Sequence, residues 1–294
     1  MDLSSLTPLA GGWSGETFLG EVAGERCVVR IYAAPGDRGA AAGEIDAAVL
    51  RLVRGLLPVP EVLEVRRPDP ATGAPGLLVT SYLPGVRGDQ LLPSLDAAGL
   101  ARAGTAVGGV AAVLGGMPML RAGRFVDGDL TVEPFPEAED LPAYVAAKQA
   151  QLQLDPADAA RLEALALDAQ ALLDTVTRRC LVHSDLNPKN LLLDPGTLEV
   201  TGVLDWEFAH AGHPAHDLGN VLRFDREPPY VDAVLAAWTD RLGGDPATLL
   251  DLARASDLIA LVELASRRGQ NPVADRAFAQ LQAIARTGDI SAAA

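Results

Sequence analysis

The sequence predicts an α+β fold in two unequal lobes, a small β-rich one followed by a large, mainly helical one. Three observations carry that reading. Over the first 80 or so residues the apolar positions fall in short strand-like runs, and beyond them they recur at helical spacing. The change of character falls at Leu83-Pro84-Gly85, a punctuating turn. The helical part is interrupted between Cys180 and Trp206, where short apolar runs frame a polar segment. The expected division is residues 1–84 and residues 85–294.

Residues 16–23 and 26–32 read as strands joined by the hairpin signal Ala23-Gly24-Glu25. Residues 44–54 place Ile45, Ala48, Val49, Leu52 and Val53 at helical spacing, and Pro58 and Pro60 stop that helix. Residues 62–65 and 77–82 read as two more strands across a turn-rich connection. Past the turn at 83–85, residues 96–116, 140–153, 155–178, 230–242 and 247–268 are rich in Ala and Leu at helical period. Residues 180–182, 191–193 and 200–204 read as short strands, and the closing Ser-Ala-Ala-Ala is expected to fray.

A chain of 294 residues, 49% hydrophobic and 21% charged, is long and apolar enough to bury a core. A net charge of −15 excludes a face built to wrap nucleic acid, since phosphate binding needs clustered basic residues. Cys27 and Cys180 sit among aliphatic neighbours with no disulfide or zinc spacing, which suits a reducing compartment. The first 12 residues lack a basic segment leading into an apolar run. The longest weakly polar stretch, 105–117, is short and glycine-rich for a membrane span. The expectation is a cytoplasmic monomer or homodimer without a membrane partner.

The informative segment is Val182-His183-Ser184-Asp185-Leu186-Asn187-Pro188-Lys189-Asn190, followed after a β-like hairpin by Leu204-Asp205-Trp206-Glu207. An acid, an amide five residues on, and a second acid at a strand end suit magnesium-assisted phosphoryl transfer. One carboxylate orients and deprotonates the attacking hydroxyl, while amide and carboxylate oxygens hold the metal against the nucleotide phosphates. Only two of the 24 basic residues are lysine, and one of them, Lys189, lies inside this loop. Its compact ammonium is suited to touch a phosphate oxygen or fix a loop carbonyl. His210, His213 and His216 have a zinc-like spacing, but Gly212 and Pro214 break the helix that would align them.

These motifs resemble those of the aminoglycoside phosphotransferase family, which shares a bilobal protein-kinase-like fold with protein kinases and choline kinases. The resemblance rests on His183-Ser184-Asp185, Asn190, Asp205-Trp206-Glu207 and Asp217-Leu218-Gly219. It implies a kinase using Mg2+ and ATP or GTP. Asp185 would be the catalytic acid/base, Asn190 and Asp205 magnesium ligands, Asp217 a brace for the catalytic loop, and His183 a residue fixing that loop. Ser184 stands where glycine is commoner in the family.

The small lobe would then grip the nucleotide. Gly12, Ser14 and Gly15 lie in a glycine-rich turn whose N–H groups could approach phosphate oxygens. Arg30 stands where the pattern wants a strand lysine, and Glu44 opens the helix expected to supply its acidic partner. Backbone groups of Ser81 and Leu83 are placed to meet the base. Arginine at position 30 leaves a nucleotide-binding pseudokinase as the alternative to an active enzyme. For the acceptor, residues 85–294 carry 17 basic and 29 acidic residues, a net of −12, against −3 for residues 1–84. That favours a small, cationic, hydroxylated acceptor such as an aminoglycoside, with a housekeeping sugar or amino-alcohol kinase as the alternative. Glu207, Asp225, Glu227, Asp257 and Glu263 are candidate acids for it, Glu207 foremost.

Overall fold

The computed structural model describes residues 6–9, 16–22, 24–32, 38–135 and 140–293. In the small lobe, β1 (Thr7–Pro8), β2 (Glu16–Val22) and β3 (Glu25–Tyr32) precede the helix α1 (Ala42–Val53), and β4 (Val62–Arg66) and β5 (Gly76–Ser81) follow it. The strands form one antiparallel sheet in the order β1-β2-β3-β5-β4. Alternation along the strands assigns its two faces. Cys27, Val29 and Val79 are buried together on one face. Arg30 pairs with Leu78 on the other, where Leu78 shares a core with Ile45, Val49, Leu50 and Val53 of α1.

The larger lobe begins with β6 (Val86–Arg87), α2 (Gly88–Leu91) and α3 (Ala97–Gly115), then β7 (Pro118–Met119), β8 (Gly123–Phe125) and β9 (Val132–Glu133). It continues through α4 (Leu141–Leu152), α5 (Pro156–Leu173), β10 (Arg179–Val182), β11 (Leu191–Leu193), β12 (Val200–Val203) and β13 (His210–Gly212). The chain closes with α6 (His216–Leu222), α7 (Pro228–Leu242), α8 (Pro246–Ala265) and α9 (Pro272–Thr287). Two small sheets, β7-β10-β13-β8-β9 and β12-β11-β6, frame the polar segment 183–190.

Two cores hold these elements. The first runs from α1 through α3 and α7 to Leu181, Leu186, Leu191, Val203 and Trp206 around the polar loops. The second lies among α4, α5, α8 and α9, with Leu141, Leu162, Leu258 and Leu281 at its centre. In α3 a side chain at Gly108 would come within 2.5 Å of the Val234 carbonyl, so glycine there lets α3 and α7 approach backbone to backbone. The helix spans Ala97–Gly115, within one residue at each end of the 96–116 run read from sequence. By length and composition its 19 residues suffice to cross a membrane, yet its small-residue face is packed on α7.

Several elements depart from expectation. α9 was missed because its apolar residues are sparse, although Asn271 caps it by accepting from the Ala274 N–H and Gly288 ends it. β7, β8, β9 and β13 have two or three residues each, too few to show a period. The described part of the tail is held at two residues. Arg226 donates to the Ser291 and Ala292 carbonyls (3.0 and 2.9 Å), and Arg254 to that of Ser291 (3.1 Å).

Candidate active site

Two loops make the site, and the β11–β12 hairpin joins them. Leu191 pairs with Val203, and the Leu204 N–H donates to the Asn190 carbonyl (2.9 Å). Asp205 therefore emerges beside Asn190, although 15 positions separate them in sequence.

The loop from His183 to Asn190 is held largely by its own residues and by α6. Asp217, buried in the first turn of α6, accepts from the His183 and Ser184 N–H groups, both at 2.9 Å. Burial pushes its carboxyl upward, and His183 and the two N–H donors oppose that. Ser184 has φ +70, a left-handed conformation that favours glycine, and its hydroxyl meets His216 Nε2 at 3.1 Å. His183 Nδ1 accepts from the Asp185 N–H (3.2 Å), so its Nε2 carries the proton and donates to the Leu204 carbonyl (2.8 Å). The imidazole thus ties the two loops together, with the Trp206 ring 4.5 Å away.

Asp185 is oriented by three side chains. Asn187 donates to one carboxylate oxygen at 2.5 Å, and Asn190 to the other at 2.8 Å. Lys189 Nζ lies 3.2 Å from that second oxygen. The Asn190 amide nitrogen also donates to the Asp185 carbonyl (2.9 Å), which commits its hydrogens to Asp185 and leaves its oxygen as the outward group.

The second loop is held from the small lobe. Arg30 reaches across to Asp205 (3.0 Å) and to Glu207. Burial works against the Arg30 charge, and the two carboxylates more than restore it, so its pKa lies above the ordinary value. Burial and the Asp205 charge push the Glu207 carboxyl up to about 7, with Arg30 opposing. Asp205 has φ +64, and the sharp turn there brings both carboxylates to one guanidinium.

One expectation is corrected here. Glu44 does not partner Arg30; it pairs with exposed Arg67 at 2.7 Å. The buried acid of α1 is Asp46, two residues on, which accepts from the Tyr32 hydroxyl (2.7 Å) and from Arg38 (2.6 Å). Two residues along a helix turn the chain by about 200°, so the two acids face opposite ways. The Ser81 N–H donates to the Glu61 carbonyl (2.9 Å), which leaves its carbonyl as the backbone group for a base, and the Leu83 N–H has no partner among the described residues. Glu207 meets Arg30 of the small lobe. Gly12, Ser14 and Gly15 lie outside the described residues.

Other candidate acids are also engaged. Asp257 receives Arg223 in a buried bidentate pair (2.5 to 3.0 Å). Glu263 receives Tyr144 (2.5 Å), Lys148 (2.6 Å) and Arg267. Among the described residues no group of three His, Cys, Asp or Glu side chains is arranged to hold a metal unaided. Asn190, Asp205 and Glu207 nonetheless offer hard oxygens of the kind magnesium takes, and Asp205 already meets a cation. A metal that completes its shell with phosphate and water fits so small a protein donor set.

The comparisons agree with this geometry. A model described as the phosphotransferase enzyme family, APH, matches residues 5–252. Acyl-CoA dehydrogenase family member 11 of Rattus norvegicus and of Mus musculus are each 40% identical over 53 residues, which is 18% of this chain and only 7% of those relatives. A solved ternary complex of a thermostable mutant of aminoglycoside phosphotransferase APH(4)-Ia with ADP and hygromycin B superposes with TM-score 0.65 and 21% identity. That match covers 97% of this chain and 94% of the other. Macrolide 2'-phosphotransferase MphH from Brachybacterium faecium gives TM-score 0.59 and 21% identity over 95% of this chain and 92% of its own. At these identities the solved structures establish the kinase-like fold, and the family match, over most of the sequence, shows that the chain belongs to the phosphotransferase enzyme family.

Proposed function

We propose that the protein transfers the γ-phosphate of ATP or GTP to a hydroxyl of a small cationic acceptor, an amino sugar of the aminoglycoside kind. The observation that carries this reading is the fixed carboxylate of Asp185, with Asn190 and the emerging Asp205 set beside it by one hairpin. Asp185 orients the acceptor hydroxyl and takes its proton. Asn187 and Asn190 hold the carboxylate in one rotamer, and Lys189 sets a positive charge beside it where the transferring group must pass.

Asn190 Oδ1 and Asp205 would hold Mg2+, which when bound offsets phosphate charge in the transition state. Arg30 replaces the strand lysine; its charge is sustained by Asp205 and Glu207, and a nucleotide phosphate is the natural third anion for it. Residues 1–84 serve the nucleotide and residues 85–294 the chemistry and the acceptor. The preference for a cation rests on the −12 charge of the larger lobe.

The test is nucleotide consumption across hydroxylated amines, neutral sugars and amino alcohols, with the parent and Asp185→Ala. Turnover on an amine-bearing acceptor, reduced at least about a hundredfold in the variant, is expected, since general-base catalysis contributes that much. Parent-like turnover in Asp185→Ala would overturn the mechanism. Nucleotide binding without turnover on any acceptor would favour the pseudokinase.

A further inference from the structure

Arg38 enters α1 from the small lobe, and its guanidinium makes three contacts at once. Nη1 lies 2.6 Å from Asp46 Oδ1 and 3.3 Å from the Trp206 carbonyl, and Nη2 donates to the Ala209 carbonyl. The Arg38 side chain is 12% exposed and that of Asp46 5%, so the pair is largely removed from water. The Tyr32 hydroxyl holds the second Asp46 oxygen at 2.7 Å. The two carbonyls bracket Glu207 and Phe208, and Trp206 follows directly on Asp205, so one side chain grips both ends of the turn that carries Glu207 and adjoins Asp205.

We propose that Arg38 is the positioning residue of this loop: it fixes the backbone from Trp206 to Ala209 against α1, so that Asp205 and Glu207 stay turned toward Arg30 and Asn190. The inference rests on the kinase reading for its purpose, but not for its geometry. Arg30 contacts the carboxylates themselves, and that contact must change whenever a cation binds them. Arg38 hydrogen-bonds only carbonyls of the loop, so its contacts need not be given up when the carboxylates bind a cation. The planar fork is essential, because it reaches an acid and two carbonyls from fixed directions, which a lysine ammonium on a flexible stem does not reproduce. Asp46 keeps the fork in place and offsets its charge where water is excluded.

The experiment compares the parent with Arg38→Lys and Arg38→Gln in two measurements. The first is amide hydrogen exchange of the protein without nucleotide or metal. The Ala209 N–H, bonded to the Trp206 carbonyl at 3.0 Å, is expected to exchange about tenfold faster in both variants, the loss of a charged hydrogen bond being worth that much. The Leu204 N–H, bonded to the Asn190 carbonyl in the hairpin, should keep its parent rate. The second is calorimetric titration of Mg2+ at saturating ADP, where the apparent affinity should fall about tenfold, the usual scale for removing a support of a metal ligand. Binding of ADP without metal should stay within about twofold of the parent. Unchanged Ala209 exchange, or equal acceleration at Leu204 and Ala209, overturns the proposal. Arg38→Lys keeps the charge and decides the matter should Arg38→Gln fail to fold. If the parent itself binds no Mg2+ with ADP, the kinase reading falls while the exchange result still decides the role of Arg38.

Discussion

The loop carrying Asp185 and the loop carrying Asp205 face each other across a few ångströms, yet they are held by opposite strategies. The first is organised locally. Asn187 and Asn190 reach Asp185 over two and five residues, and its distant braces, Asp217 and His216 of α6 and the Leu204 carbonyl, come from the same lobe. The second is organised remotely. Arg30 and Arg38 reach it over 168 to 177 residues from the small lobe. A locally built loop keeps its geometry when the lobes move, whereas a remotely built one reports the position of the other lobe. Under the proposed function that asymmetry would keep the Asp185 carboxylate set while the Asp205 turn is completed by the position of the small lobe.

The sharpest way to break the comparison is to remove the brace of the local loop. Asp217→Ala leaves two buried N–H groups without an acceptor, each worth about 1–3 kcal/mol, so a loss of about 3 kcal/mol or more is expected in urea unfolding. A variant as stable as the parent would show that the catalytic loop needs no help from α6.

Acid offers a second, graded test. All four histidines lie between residues 183 and 216, on the locally built side. Burial lowers His216 to about 3 and His213 to about 4. The folded pKa values lie below the unfolded value of about 6.5, so the unfolded chain binds the extra protons as pH falls. Stability from these residues is full above about pH 6.5 and declines toward pH 4, each histidine approaching about 1.4 kcal/mol per pH unit. Thermal unfolding from pH 8 to pH 4.5 should show that decline, and His216→Gln should flatten it. A flat profile in the parent would contradict the burial of these rings.

The smallest effect belongs to the acid that sequence favoured. Glu44→Gln breaks only the exposed pair with Arg67 and should change stability by less than about 0.5 kcal/mol. Asp46→Asn should destabilise more, because it disrupts a desolvated pair. Equal effects, measured by denaturant midpoint, would return Glu44 to consideration as the functional helix acid.

The local loop was legible because its chemistry lies in residue spacing. The acid-amide pair at 185 and 190 and the hairpin returning to 205 follow from motif and periodicity, and the resemblance to the family implied the brace at 217. The remote contacts were not legible. Two acids in one helix turn, Glu44 and Asp46, look alike until the helix is docked, and nothing near Arg38 in sequence marks it as the partner of the Trp206 and Ala209 carbonyls. Ser184 was noted as a departure from glycine, and its positive φ supplies the reason for the family preference. The charge of the larger lobe pointed to five acids, of which Glu207, Asp257 and Glu263 meet cations of the chain itself. Among the described residues Asp225 carries no such ion pair; burial raises its carboxyl while Arg276 opposes.

By itself the sequence determined the α+β layout, the order of acid, amide and acid, and the phosphotransferase character they imply, because strand alternation, helical period and hairpin return are local properties of the chain. Only the tertiary structure decided which arginine meets which carboxylate, since pairing across lobes depends on how the α1 face and the Asp205 turn are brought together. That docking is set by the shared core from Ile45 to Trp206, in which burial of apolar area is non-directional and leaves little trace in residue spacing.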